Sequence, residues 1–250
     1  MRNYPQCMLI LLLIVYANCL LAQPVLTTVE KKISKRNPKI TENYQVIPGN
    51  SELRQGTFVR TIKGQIVAEG FYKNNQRDSI WRGYTDGKLV FEGRYKIDER
   101  AGIWSFYNAA GKLLHRYDFD RDTLLFYDNT AAQPGYMEEI KTCPPGDTGR
   151  CEVLPVFLGG ATYMTWLIDT WMLYPPIAKE NGIQGIVVIS CVVDGSGNTT
   201  ELVLEKGVSK EINAEALRLV DMFGKIWIPG HVNGRPVKVK FSVPLKFKLY

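Results

Sequence analysis

The 250-residue chain reads as an α+β protein, in which an all-β meander of repeats precedes a small antiparallel three-stranded sheet with two helices. Three observations predict this. Gly64–Trp81 and Gly87–Trp104 align without a gap at a 23-residue period. From Pro155 onward the pattern changes to short helical phrases interleaved with apolar runs. The last stretch alternates strictly: Val237, Val239, Phe241, Val243, Leu245, Phe247 and Leu249 are separated by Lys238, Lys240, Ser242, Pro244, Lys246 and Lys248. Such a strand buries one face and leaves the other solvated and basic.

In chain order, residues 1–22 read as an export signal: Arg2 supplies the positive start, Met8 to Val15 the apolar run, and Ala22 the small residue at a cleavage point. Retention as an inner-membrane anchor and lipidation at Cys19 are the alternative readings. Either way the chain is placed in the periplasm and cell envelope. Residues 23–52 are polar and Lys-rich, and are expected to form a tether or loosely ordered lead-in.

Residues 53–128 carry the repeats. Each unit reads as an aromatic strand (Trp81 and Tyr84, then Trp104 and Tyr107), a turn at Asp86-Gly87 or Ala110-Gly111, and an alternating strand. The aromatics are expected to form the core of the sheet, because one hairpin alone cannot bury enough surface. A third start at Gly111 decays after a few residues. Residues 129–154 form a linker in which Cys143 and Cys151 flank a turn-rich loop and are a disulfide candidate in an oxidising compartment. Cys191 lies in an apolar run and reads as a small buried hydrophobe.

Residues 155–250 form the second module. A helix through "MTWLIDTWMLYP" must end near Tyr174, since Pro175 restricts the residue before it. "PIAKENG" is a second short helix, with Pro at its start and Gly182 past its end. "GIVVISCVVD", opened by Gly185, is apolar on both faces and should be the central strand. "TTELVLEK" returns antiparallel. Asn213 is expected to cap a helix over "AEALRLVDMF", with Glu215 in its first turn and Ala216, Leu217, Val220 and Phe223 as the packing face. Asn233-Gly234 is a strong hairpin signal. Pro244 cannot donate to a ladder, so the final strand is expected either at a sheet edge or leaving the ladder at that point.

Residues 56–127 resemble the MORN-like repeats of exported bacterial proteins. "FLGG", "YPPIAKENGIQG", "VVDGSGN", "AEALRLV", "WIPG" and "NGRPVKVKFSVPLKF" together resemble the C-terminal domain of the TonB family of energy transducers. In that comparison Tyr174, Pro175, Gly182, Gly185, Trp227, Pro229, Gly230, Asn233 and Gly234 are structural motif positions. The resemblance implies a three-stranded sheet with two helices on one face. It also implies binding of the TonB box of outer-membrane receptors as an added strand beside the last one, along Val237, Lys238, Val239, Lys240, Phe241, Ser242 and Val243. The chain departs from the family pattern in having a signal-like start where a transducer has an uncleaved membrane helix, and repeats where it has a Pro-rich stalk.

Little else points to chemistry. His115 and His231 are the only histidines and lie in different modules, so no metal site, cofactor site or Ser/His/Asp arrangement is suggested. The offsets in "DGSGNTTELVLE" imitate a calcium loop, but Thr199 stands where Gly is needed and strands flank it. A net charge of +6 is scattered along the chain, and export excludes nucleic acid as a partner. The sequence thus describes a non-catalytic envelope protein. The resemblance implies that it supports transmembrane transport by binding an outer-membrane receptor or other envelope protein; the alternative expectation is a scaffold acting through its repeats. The edge strand also offers a route to a homodimer.

Overall fold

The computed structural model describes residues 25–34, 38–128 and 154–249. The export signal and the Cys143–Cys151 pair lie outside the described residues. Nine strands form one antiparallel meander in chain order. They are β1 (Thr27–Ser34), β2 (Ile40–Ile47), β3 (Asn50–Ile62), β4 (Gln65–Lys73), β5 (Gln76–Thr85), β6 (Lys88–Lys96), β7 (Glu99–Tyr107), β8 (Leu113–Asp118) and β9 (Thr123–Tyr127). The lead-in expected to be a tether therefore supplies two strands and the start of a third. Its charge hid a real alternation: Tyr44 and Val46 are buried, and Glu42 between them and Ile40 is buried against Arg54 and Arg60. Lys31 and Lys32 lie on β1, the outermost strand, where charge discourages further pairing. The third repeat also continues, as the β8–β9 hairpin.

The repeat has a physical unit. Trp81 lies across Gly70 on the preceding strand, where a Cβ would sit 2.2 Å from the indole, and Trp104 lies across Gly93 at 2.1 Å. Each indole N–H then donates at 3.0 Å to the carbonyl just after that glycine, Phe71 O and Arg94 O. Tyr72 and Tyr95 meet these rings edge-on. Both tryptophans are buried, while Tyr84 and Tyr107 are half-buried. At the same period, Asn75 and Asp98 accept from the N–H of Arg54 and Arg77 one repeat earlier. Ile97 occupies the left-handed region at φ 54° in one of these turns, an unfavourable place for a β-branched residue.

The second unit begins with β10 (Val156–Phe157) and α1 (Gly160–Trp171). It continues with α2 (Pro176–Glu180), β11 (Gly185–Val193), β12 (Thr199–Lys206) and α3 (Lys210–Asp221). It ends with β13 (Trp227–Ile228), β14 (Gly230–Val232), β15 (Arg235–Val237) and β16 (Val239–Phe247). The main sheet runs β12-β11-β16, so β11 is central. Helix α3 starts three residues before Asn213: Ser209 is the cap, its Oγ accepting from Ile212 N–H at 3.3 Å. Asn213 instead accepts from Val208 N–H at 2.8 Å and closes the approach loop from inside the helix. Glu215 consequently sits beyond the first turn. It is buried, bonding Leu173 N–H and Arg218, and so ties α3 to the chain leaving α1.

Helix α1 is apolar almost all round, with Tyr163, Met164, Trp166, Leu167 and Thr170 buried, the mark of a helix packed on more than one side. Trp166 donates to Val67 O at 2.9 Å and meets Phe91 at 4.7 Å; Tyr163 meets Phe91 and Phe106. Trp171 stacks on Phe58, and Arg60 lies over its ring. One continuous core thus runs from the meander through α1 and α3 to β11 and β16.

Two outcomes follow. Gly93→Ala should cost about 3 kcal/mol or more, because Trp104 cannot leave its slot without opening the core, measured as the shift in denaturant midpoint. Ile97→Asn should raise stability by about 1 kcal/mol, because Asn tolerates the left-handed conformation.

Candidate functional site

The candidate site is the outer edge of β16. Its inward residues Val239, Phe241, Val243, Leu245 and Phe247 are all buried under the helices. Its outward side chains, Lys240, Ser242, Pro244 and Lys246, lie on the solvent face. Lys238 and Lys240 reach across the sheet to Glu201 and Glu205 at 3.0 and 3.2 Å. Both pairs are exposed, so they contribute little stability and order the face more than they hold the fold. The pairing of β16 with β11 runs from Gly185↔Phe247 to Val193↔Val239 with no register shift. Among the described residues, no strand lies on the other side of β16.

The direction of each main-chain group on that edge can be read from the far side of β11. Asp194 N–H donates to Asn198 O at 3.0 Å, and the Thr200 hydroxyl donates to Val192 O at 3.1 Å. The main-chain groups of Asp194 and Val192 therefore point to β12. Facing residues in an antiparallel pair alternate between exchanging both bonds and exchanging none. The bonded partners on β16 are consequently Val239, Phe241, Val243, Leu245 and Phe247. Lys240, Ser242, Pro244 and Lys246 turn their main-chain groups away from β11. Pro244 thus sits where the ladder loses nothing by its missing N–H, which is how β16 tolerates it.

Of the seven residues expected to take a partner, five lie on β16. Val237 does not: it is half-buried and pairs with Gly230 in the β14–β15 hairpin. Lys238 lies in the break between β15 and β16, so the last alternating stretch is two strands rather than one. The motif positions surround this edge. Asn233 and Gly234, both at positive φ, form the β14–β15 turn, and Gly230 is buried beside half-buried Pro229. Buried Trp227 donates to Thr199 Oγ1 at 3.0 Å and packs on Phe241 at 4.6 Å. Tyr174 bonds Ile183 O and meets Phe247 edge-on, Pro175 O accepts from Lys179 N–H, and Gly182 takes φ 63° between α2 and β11. Gly185 opens β11 with Val208 packed against it. Cys191 is buried under the same sheet, which raises its thiol pKa and leaves it inert.

The residues that anchor this unit to the meander were not foreseen. Arg100 donates to Phe223 O and Lys225 O, both at 3.3 Å, just past the end of α3. Lys225 pairs with Asp122 at 2.8 Å. His115 Nδ1 accepts from Gly159 N–H at 2.8 Å, at the start of α1, and its ring stacks on Tyr127. The signal for Arg100 was the period itself, since Arg54, Arg77 and Arg100 are 23 residues apart.

Together these features define a class: a small α+β domain whose long, unbulged last strand has no neighbour on its outer side among the described residues. Residues 171–249 match the family model described as the Gram-negative bacterial TonB protein C-terminal, and a domain of that type occupies them. Among solved structures, the chain is similar to the NMR solution structure of the Helicobacter pylori TonB C-terminal domain, at 20% identity. That likeness covers 47% of this chain and 98% of the other, with a TM-score of 0.29. No curated protein matches the chain. The family match begins at the end of α1, so β10 and most of α1 lie outside it.

His115 generates a pH prediction. Burial pushes its pKa down from 6.5 to about 4, partly opposed by Asp128. The folded state therefore prefers the neutral ring, and protonation would also remove the acceptor of Gly159 N–H. Its contribution is complete above about pH 6.5 and is lost as pH falls toward about 4. The loss should reach on the order of 3 kcal/mol. His115→Gln should flatten the stability profile across that window, measured by denaturant midpoints at successive pH values.

Proposed function

We propose that this is an exported, non-enzymatic cell-envelope protein that binds an extended segment of an envelope partner by strand addition along β16, in support of transmembrane transport. The partner class is a TonB-box segment of an outer-membrane receptor, and the repeats act as the companion module that holds the domain. The observation that carries the reading is the outer side of β16, whose nine residues pair with β11 without a register shift and have no strand beside them among the described residues. An extended chain placed there would satisfy outward main-chain groups that no other described strand pairs with. The TonB-type match at residues 171–249 supports the same reading.

A second reading assigns the contacts to the meander instead. Ile80 and Ile103, one repeat apart, are each 46% exposed, and could meet a partner of their own.

The test uses purified full chain and synthetic N-terminal segments of outer-membrane receptors, with affinity measured by calorimetry. Ser242→Pro removes an outward N–H and should weaken binding by more than about tenfold, with the thermal midpoint little changed. Val239→Pro removes an N–H that belongs to the β11 ladder and should unfold the domain instead. Binding that survives Ser242→Pro but is lost on Ile80→Ser with Ile103→Ser would replace strand addition with the scaffold reading.

A further inference from the structure

We infer that Pro244 divides the β16 edge, so that an added strand is held only along Val239–Val243 and is stopped at Pro244; the inference rests on strand addition at this edge. Four residues turn main-chain groups outward, Lys240, Ser242, Pro244 and Lys246, by the alternation set by Asp194 and Val192. Three of them offer both an N–H and a carbonyl. Pro244 offers a carbonyl alone, and its ring carbon occupies the space where a guest carbonyl would approach an N–H. A guest running past it would leave one carbonyl without a donor and meet the ring.

The rest of the edge gives the guest little to offset that loss. The inward row from Val239 to Phe247 is already between 0% and 3% exposed, so a guest adds to a finished core and fills no open pocket. Its hold comes from main-chain bonds, which Lys240 and Ser242 can supply in full. The charges on that half are also arranged. Lys238 and Lys240 are each held by a carboxylate across the sheet, whereas Lys246, beyond the proline, has no such partner among the described residues. The partner is therefore a short extended segment, anchored by few residues, whose remaining chain leaves the sheet beside Pro244. Pro244 acts as a positioning residue that fixes register: a guest sliding along the edge meets it as an end stop.

The experiment uses the full chain with blocked alternating Thr-Val peptides of stepwise increasing length as the probe. Calorimetry gives affinity, and hydrogen exchange is followed at Lys240, Ser242 and Lys246. In the native chain, binding should slow exchange at Lys240 and Ser242 but leave Lys246 unchanged. Affinity should stop rising once the peptide is long enough to reach Pro244. Pro244→Thr restores an N–H at a half-buried position outside the buried core row. It should extend protection to Lys246 and tighten the longer peptides by roughly three- to tenfold, one net hydrogen bond. Protection of Lys246 in the native chain, or no gain from Pro244→Thr while Ser242→Pro abolishes binding, would overturn the end stop and leave strand addition standing. Binding with no protection at Lys240 and Ser242 would overturn both.

Discussion

The structure depends on a single packing requirement: two sheets, each with one aromatic or aliphatic face, must cover those faces with the same small set of helices. The meander by itself is one layer, and its buried row of Phe58, Trp81, Phe91, Trp104 and Phe106 would face water. A sheet in that state is not independently stable. Helix α1 meets the requirement because it is apolar on nearly every side. Trp166 and Tyr163 enter the meander, while the chain leaving the helix is held by Glu215 and Arg218 of α3. At about 25 cal/mol per Å2 of apolar area, aromatic side chains of this size each contribute several kcal/mol, well beyond any surface ion pair here.

That packing also shapes the β16 edge. Because α3 and its neighbours already seal the inner row, β16 does not need a partner to complete a core. It can therefore present a regular edge without exposing an apolar groove, and under the proposed strand addition a guest would be held by main-chain bonds and neighbours on the solvent face alone. The seam reinforces this rigidity. Arg100 binds two carbonyls just beyond α3, where the helix end is electronegative, and Lys225 bonds Asp122 in the meander. The domain that holds the edge is thus mounted on the repeats.

The α+β class, the 23-residue repeat and the order of elements after Pro155 were legible because each has a strong period or turn signal: paired repeats, Asn233-Gly234, the β16 alternation. What escaped was set by tertiary context. Residues 27–47 read as polar because Glu42, Lys31 and Lys32 mask a strand pattern, and only the distant Arg60 makes a buried Glu42 tolerable. The start of α3 shifted because two good caps, Ser209 and Asn213, lie four residues apart, and the loop from Gly207 uses the second for its own closure. Val237 matched the last strand in phase but was claimed by the tight hairpin before it. Pro244 pointed to an edge; its phase relative to β11 held more, since a proline fits only where the main chain faces away from the partner strand.

The four outer strands of the two sheets are unequal in ways that single out β16. β1 is irregular, with a register shift between Lys32 and Ser34 against β2. β12 is broken by register shifts and by Glu201 at φ 52°, which bends it away from the flat geometry a guest needs. β9 is only five residues long. β16 has nine residues, no shift and a face ordered by Lys238–Glu201 and Lys240–Glu205. A long, regular edge is normally a liability that proteins blunt. Here the blunting is partial, outward Lys240 and Lys246 and a single proline past the midpoint, and on the proposed reading of strand addition that leaves room for one short guest.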